Sequence, residues 1–513
     1  MKKIALISVS EKKDIDILAS KLTKNGYTIL STGGTAKYLT TKGINIIPIS
    51  EFTNFDEILG GRVKTLHPII HAGILAKNQK DLDYLDDKKY YLIDIVIVNL
   101  YPFEKTISEK NCTFSDAVEN IDIGGPTLLR ASAKNHKRVT VLTEPEDYQK
   151  VINEIEKNGS TTISMRRELA SKAFLKVSKY DSMIAKYLYD KKNHTSLLSN
   201  SIHLEANEIE ELRYGENPHQ KAKLYEVTAP ELTGFGYSQL SGKKISFNNL
   251  VDTESAYSCV EQFKEPTCVI VKHANPCGVA SAKSTDEAYK KAYKTDPTSA
   301  FGGIIAFNKK INSRLIKSII DKQFVEVIAA PAFDSKALDV IKTKPNVRLL
   351  QIKLKKNSQI YEAKLLRNKL LIQEKDDKNL SRKDLKVVTN KKPTKKELDD
   401  MIFAFKVSRY VKSNAIVLVK NLKTLAIGAG QMSRIDSTTI ANNKAKKERI
   451  SLKGCVMASE AFFPFRDNVD LAKKIGVTAI IQPGGSINDE TIIKVANKLK
   501  LSMCFSQIRV FKH

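Results

Sequence analysis

The sequence predicts an α/β protein, with a doubly wound parallel sheet at its N-terminus followed by a second α/β region of two subdomains. Three observations predict this. Over residues 1 to about 150, short apolar runs alternate with amphipathic stretches, the pattern of parallel strands joined by helices. The runs are almost continuously apolar, as strands buried on both faces are. Two polar, charge-dense stretches, 191–211 and 374–400, then interrupt the 513-residue chain, which is longer than one ordinary domain.

Taken in order, "KIALISVS", "YTILST", "INIIPIS", "IDIVIVNLYPF" and "RVTVLTEP" read as buried strands closing in turns. The opening "MKKIALISVS" also has the lysines and apolar run of a signal peptide. Glu11-Lys12-Lys13-Asp14 follows at once, with no small-residue cleavage site, so a first strand is the expectation. "IDILASKLTKNG" is an amphipathic helix ending on a glycine suited to a helix C-terminus. "EPEDYQKVINEIEKNG" and "MRRELASKAFLKVSKYDSMIAKYLYD" are helices that close the first domain. The polar stretch 191–211 reads as a connection, which sets expected boundaries at 1–195, a linker at 196–211, and 212–513. Strand-and-turn units continue from Arg213 to about Gln373. The patch 374–400 marks a subdomain joint, or is simply a solvated loop. A helix over "MIFAFKVSRYVKS" and strands over "NAIVLVK", "TLAIGAG", "VTAIIQPGGS" and "SMCFSQIRVF" complete the chain. No short-period repeat is visible, which argues against a solenoid.

Composition narrows the function classes. Hydrophobic content of 42% with 27% charged residues is that of a globular protein. No segment approaches the roughly 20 apolar residues of a membrane span, so a soluble protein without a membrane partner is expected. The six cysteines (112, 259, 268, 277, 455 and 504) are scattered without a CxxC pair. That pattern suggests reduced thiols in the cytoplasm, and neither disulfides nor a thiolate zinc site. The net charge of +27 raises a nucleic-acid hypothesis. The basic residues are mostly lysines interleaved with Asp and Glu, and no nucleic-acid module has its signature here. Polyanionic small substrates are the simpler account.

Candidate chemistry gathers at strand ends. In "STGGTAKYL", Gly33 and Gly34 let the backbone approach an anion, Thr32 and Thr35 add hydroxyls, and a helix N-terminus follows. This is a phosphate cradle of neither the Walker nor the dinucleotide pattern; a Gly-Gly turn can also be only a turn. "GGRVKTLHPIIHAGIL" collects Arg62, Lys64, Thr65, His67 and His71. Pro68 between the histidines argues against a helical metal pair, and Arg62, Lys64 and Thr65 fit anion ligands better. "NLYPF" sets Asn99 and Tyr101 just past a strand. "NIDIGGPTLLRASAKNH" places Asp122 before a third Gly-Gly and Lys134 at the end of a helix. Together these form an acid–base pocket on a phosphate platform.

In order, "SVSEK", "STGGTA", "GGRVKTLHP", "NLYPF", "IDIGG" and "RASAKNH" resemble the cyclohydrolase domain of a bifunctional purine-biosynthesis family, in which AICAR formyltransferase is fused to IMP cyclohydrolase. The resemblance continues through "LRYGENPHQ", "KHANPCG", "AFGGIIAFN", "SNAIV", "GAGQMSR", "FFPFRDNVD" and "PGGS", and so covers nearly the whole chain. It implies a methylglyoxal-synthase-like first domain and a cytidine-deaminase-like formyltransferase region. It further implies that Ser10, Lys12, the Thr32–Gly33–Gly34–Thr35 turn, Arg62, Lys64, Thr65 and Asn99 bind the nucleotide, with Asp122, Ile123 and Gly124 turning over its base. Lys134 would move the proton in ring closure, beside Lys64, Tyr101 and Asp122. The plain alternative for Lys134 is a helix-end lysine meeting the dipole.

Deaminase zinc chemistry needs HxE followed by PCxxC. Here His203-Leu204-Glu205 lies in the expected linker, and Gly278-Val279-Ala280 follows Pro276-Cys277. No zinc is expected. Formyl transfer from 10-formyltetrahydrofolate to AICAR needs a base and an oxyanion holder. His273 fits the first by its titration range, and Lys272 the second. A strand points neighbours to opposite faces; a turn at Asn275–Pro276 is expected to bring both to one site. By resemblance, Asn414 hydrogen-bonds near His273. Arg213, Tyr214, Arg434 and Arg509 bind the nucleotide, and Phe301, Gly302, Glu326, Phe462, Asp467 and Ser486 line the nucleotide and folate pockets. Glu326 stands where some members carry Asp, "SEAFFPF" replaces "SDAFFPF", and the ending "IRVFKH" with His513 departs from the usual tail. The family implies a homodimer acting on AICAR, formyl-AICAR, IMP and folate, without nucleic acid, and leaves a bound monovalent cation open. Two other readings remain at this point: a formyltransferase with a vestigial cyclohydrolase site, and a non-catalytic basic nucleotide- or nucleic-acid-binding protein.

Overall fold

The computed structural model describes residues 3–193, 202, 204–227, 235–354 and 361–513. The chain forms two compact units, Met1–His203 and Leu204–His513.

In the first unit, β1 (Lys3–Val9), β2 (Tyr27–Ser31), β3 (Ile46–Pro48), β4 (Ile95–Asn99) and β5 (Thr140–Leu142) form one parallel sheet in the order β3-β2-β1-β4-β5. The central strands are apolar throughout because helices cover both faces: Ala5, Leu6, Ile7, Val96 and Ile97 are all fully buried. The chain order reverses between β1 and β4, and ligands bind such sheets outside the carboxyl ends at the reversal. The loops carrying Ser10, Thr32 and Asn99 leave the sheet there.

The second unit opens with β6 (Ala206–Glu211) and β7 (Lys223–Val227), paired antiparallel. The expected linker is therefore a strand from Ala206 onward, while 194–201 and His203 lie outside the described residues. An isolated two-stranded ribbon can stay polar, held here in part by Lys223 and Glu208 at 2.7 Å; an apolar pattern could not betray it. Next come β8 (Phe235–Ser241), β9 (Thr267–Lys272), β10 (Asn275–Ser281), β11 (Gly303–Phe307), β12 (Val325–Ala330) and β13 (Arg348–Leu354). They form a sheet in the order β10-β9-β11-β12-β13-β8. A hairpin of β14 (Tyr361–Leu366) and β15 (Lys369–Glu374) precedes a second sheet. That sheet contains β16 (Lys386–Val387), β17 (Ile416–Val419), β18 (Thr424–Gly428), β19 (Cys455–Ser459), β20 (Val477–Gln482) and β21 (Ser502–Phe505), in the order β16-β21-β20-β19-β17-β18.

The two six-stranded sheets have one topology. Each has a hairpin at one edge, three parallel strands, and an antiparallel strand at the far edge. A 14-residue helix precedes each hairpin, Phe247–Val260 and Lys395–Ser408, and the two helices start 148 positions apart (247 to 395). The patch 374–400 is thus more than a loop. It supplies β16 and, through a capping box at Thr394 and Glu397, starts the helix that begins the second copy. Val269 and Val271 of one sheet and Val417 and Val456 of the other share a core.

Candidate active sites

In the first unit the carboxyl edge is tied together by side chains. The Asn99 Oδ1 accepts from the amides of Ser10 (2.5 Å) and Glu11 (3.1 Å) and from the Ser10 hydroxyl (3.0 Å), while its Nδ2 donates to Glu11 O at 3.0 Å. Asn99 is thereby a splint between the loops after β1 and β4. The Thr32 and Ser8 hydroxyls meet at 2.9 Å, and the Thr35 hydroxyl donates to Val9 O at 2.9 Å. The Lys12 ammonium donates to Thr35 Oγ1 at 3.1 Å and also to Val9 O. Burial, and secondarily the Lys64 charge, make that ammonium more acidic than an ordinary lysine. Lys64 Nζ lies 3.9 Å from where a β-carbon would stand at Gly33 and at Gly61. Thr65 Oγ1 lies 2.8 Å from the equivalent point at Gly124.

The switch point therefore brings Ser10, Lys12, Thr32, Gly33, Thr35, Lys64, Thr65, Asp122 and Gly124 to one edge. The Asp122 Oδ1 accepts from the Gly125 amide at 2.8 Å, its Oδ2 accepts from the Tyr101 amide at 3.4 Å, and its own amide donates to the Tyr180 hydroxyl at 2.7 Å. Burial raises the Asp122 carboxyl above its ordinary range, partly offset by those amides and by Lys64. Burial also pushes the Tyr180 hydroxyl up to about 12. Glu57 and Tyr180 escaped the sequence reading. Glu57 Oε1 stands 3.7 Å from the Gly33 point, and no phosphate-like motif marks either residue.

Other expected members go elsewhere. Arg62 makes a two-pronged ion pair with Glu119 at 2.9 and 2.6 Å. Ile123 is exposed. The helix Gly124–Lys134 has 11 residues, about 15 Å of rise, so Lys134 stands at the opposite end from Asp122 and Gly124. Pro68 does not interrupt a helix but begins one: Pro68–Leu75 is capped by His67, whose Nδ1 accepts from Ile69 N at 3.3 Å. His71 therefore lies inside that helix, its Nε2 buried without a hydrogen bond and its basicity lowered by burial. Among the described residues no group of three or more His, Cys, Asp or Glu is placed to hold a metal.

In the second unit the turn between β9 and β10 is His273–Ala274, two residues before the expected Asn275–Pro276. Lys272 pairs with Asn275 across the ladder, and His273 and Ala274 both take left-handed φ, 50° and 55°. Strand alternation thus ends at Lys272. Its ammonium donates to Phe301 O (3.0 Å) and Gly302 O (3.1 Å), while the His273 side chain is exposed. Phe301, 61% exposed, and Phe324, 45% exposed, meet with ring centres 5.5 Å apart; Phe324 was not foreseen. The Lys412 amide donates to Asn275 Oδ1 at 2.9 Å, joining the turn to the edge of the second sheet.

At that edge Asn414 does not bond His273; its Nδ2 donates to Gln431 O at 2.8 Å. Arg434 is paired with the fully buried Glu460 at 2.9 Å, and the Ser413 hydroxyl donates to the same carboxylate at 2.8 Å. Glu326 is paired with Arg348, only 3% exposed, at 2.7 Å. Neither Arg434 nor Glu326 presents a free charge to a pocket. The Arg509 and Arg434 guanidiniums lie 4.5 and 5.8 Å from the Phe511 ring, and His513 packs edge-on to it. Arg213 stacks on Tyr214 at 5.1 Å. Within "FFPF", Phe463 is core, while Phe462 and Phe465 are exposed. Asp467 begins a helix and accepts from the Asn468 amide, and the Ser486 hydroxyl accepts from Asn488 N at 3.2 Å.

Residues 14–127 match the family model of the MGS-like domain, and residues 132–444 match that of the AICARFT/IMPCHase bienzyme. A solved structure titled "Crystal structure of ForH" is 32% identical, covering 37% of this chain and 100% of that one, with a TM-score of 0.33, too low to speak to the fold. With more than half its length matched by the bienzyme model, the chain belongs to the AICARFT/IMPCHase bienzyme family, bifunctional enzymes of purine biosynthesis with formyltransferase and IMP cyclohydrolase activities.

Proposed function

We propose that the second unit transfers a formyl group from 10-formyltetrahydrofolate to the amine of AICAR, and that the first closes formyl-AICAR to IMP. The observation that carries this reading is the His273 turn, an exposed imidazole one residue past Lys272, whose ammonium holds the carbonyls of Phe301 and Gly302. In transfer, the amine nitrogen attacks the formyl carbon and His273 takes the proton the amine loses. The bond from that carbon to the folate nitrogen then breaks, and the nitrogen takes up a proton. Lys272 has two N–H groups engaged by carbonyls; the third is free to hold the oxygen that becomes negative. Asn414, Arg434 and Glu326 brace the surrounding loops. Arg213, Tyr214, Phe301, Gly302, Phe462, Asp467, Ser486 and Arg509 contact nucleotide and folate.

In ring closure the carboxamide nitrogen attacks its own formyl carbon and water leaves. Because the reaction is intramolecular, correct folding of the nucleotide supplies most of what is needed. Ser10, Lys12, the Thr32–Thr35 turn and Thr65 hold the phosphate, Lys64, Tyr101 and Asp122 polarise the reacting groups, and Ile123 and Gly124 cover the base. Lys134 takes part only if a second copy of the chain brings it there, and the homodimer expected of the family supplies that copy. The division into a cyclohydrolase domain, a short connection and a formyltransferase domain belongs to this reading, with the second domain starting at β6 (Ala206–Glu211) instead of at 212. So does a cytoplasmic location, supported by six free cysteines, five of them buried.

The test supplies AICAR and 10-formyltetrahydrofolate and follows tetrahydrofolate and IMP. Absence of tetrahydrofolate sinks the reading; formyl-AICAR accumulating without IMP leaves a formyltransferase alone. His273→Ala should abolish transfer yet still cyclise supplied formyl-AICAR. Lys134→Ala should slow ring closure only, and unchanged closure would remove it from the mechanism.

A further inference from the structure

We infer that Asp252 is a positioning residue for His273, its carboxylate holding the His273–Ala274 turn in the left-handed conformation that carries the imidazole beyond the strand end. The inference rests on reading His273 as the transfer base.

A two-residue hairpin turn with both φ values positive ordinarily calls for Asn-Gly or Asp-Gly. His273 tolerates that region moderately, but Ala274 does not. A left-handed alanine sets its β-carbon against the following carbonyl oxygen, so the surroundings must impose the conformation. The helix Phe247–Val260 imposes it with two residues three apart, hence on one face. The Ala274 amide donates to Asp252 Oδ1 at 2.7 Å, and the Ser255 hydroxyl donates to Ala274 O at 3.1 Å. The His273 amide and the charges of His273 and Lys272 bear on the same carboxylate. Asn275 completes the clamp, donating to His273 O at 3.2 Å.

The second half of the unit repeats the device. Asp400, 148 positions after Asp252, lies on the matching helix. Its two oxygens accept from the amides of Asn421 (2.9 Å) and Leu422 (2.7 Å), whose φ values are 55° and 54°. The carboxylate-gripped turn is therefore built into this sheet whether or not chemistry rides on it. In the first half the residue so held is His273, and any loosening of the turn moves the imidazole directly.

The experiment measures kcat and KM for formyl transfer from 10-formyltetrahydrofolate to AICAR, with urea midpoints as the measure of folding. Asp252→Ala should lower kcat about 100-fold, the effect of misplacing a reacting group by about 1 Å, with KM for AICAR nearly unchanged. Adding Ala274→Gly should restore at least about tenfold of kcat, because glycine takes positive φ unaided. Asp252→Asn, which keeps an acceptor oxygen for the Ala274 amide, should stay far more active than the alanine variant. Asp400→Ala should lower the urea midpoint while kcat per folded enzyme holds. Wild-type kcat in Asp252→Ala would overturn the inference. So would a loss that Ala274→Gly does not rescue, or one that Asp252→Asn reproduces in full, since charge and not grip would then be at work. If His273→Ala still transfers formyl groups, the base reading falls and takes this inference with it. An inactive His273→Ala beside a fully active Asp252→Ala sinks the inference alone.

Discussion

The turns at His273–Ala274 and Asn421–Leu422 match in their left-handed φ values, and each has a lysine before it, Lys272 or Lys420, and a carboxylate beneath it, Asp252 or Asp400. Even the lysines are used alike. The Lys272 ammonium caps carbonyls next to Gly302, and the Lys420 ammonium donates to Lys453 O at 2.7 Å, next to Gly454. Both glycines have positive φ, 67° and 76°, and in both a β-carbon would stand 3.1 Å from the lysine Nζ. The comparison teaches that much of a "KHA" motif is architecture. What differs is the imidazole: His273 stands where Asn421 stands in the second half. The lysine has a structural reason to be there in both.

The largest effect that can break this comparison is His273→Asn, which makes the first turn a copy of the second. Asparagine tolerates the left-handed region, so the urea midpoint should hold while formyl transfer falls by about 10²–10⁴-fold, the usual share of a general base. Asn421→His should gain no activity. Transfer surviving in His273→Asn would mean that the imidazole is not the distinguishing group.

Next come Gly302→Ala and Gly454→Ala. Each should lower stability by about 1–2 kcal/mol, read from urea midpoints, but only Gly302→Ala should also slow transfer, because it pushes on Lys272. Equal kinetic effects would show that the two lysines matter through folding alone. A smaller effect is expected in the first unit, at Asp122. Burial raises its carboxyl, so the proton is held to higher pH than on an ordinary carboxyl. If ring closure needs the carboxylate, its rate rises with pH through that raised value. Asp122→Asn should flatten this acidic limb, and an unchanged limb would assign it to another group. The smallest effect belongs to Arg62→Gln: with its guanidinium on exposed Glu119, KM for formyl-AICAR should change by less than about threefold, because an exposed surface ion pair contributes little. A tenfold rise would return Arg62 to the phosphate site.

Much of this was legible in residue order. The five parallel strands of the first unit announced themselves because burial on both faces demands unbroken apolar runs. The strand-end positions of Ser10, Thr32 and Lys272 follow from where those runs stop, whereas Lys64 and Asp122 reach the same edge from connections between helices. The duplicated half escaped notice because the fold constrains only a few of its positions, such as Asp252 and Asp400 or Lys272 and Lys420, and leaves the rest free to diverge. Pro68 does keep His67 and His71 from sharing a helix, but it does so by starting the helix just after His67, because proline suits a first turn.

Sequence by itself determined the fold class, the family and the kinds of chemical group at each strand end, since apolar periodicity and local motifs are properties of neighbouring residues. Only the tertiary structure decided which charged groups remain available. Arg62, Arg434 and Glu326 look like ligands in the chain, but Glu119, Glu460 and Arg348 reach them from 57, 26 and 22 positions away. Partners at such separations are chosen by packing, and a buried or paired charge is claimed by the nearest opposite charge that the fold delivers. The same holds for "KHANPCG". Its lysine and histidine are adjacent in sequence, but it is a carboxylate about twenty positions upstream that holds the histidine's turn.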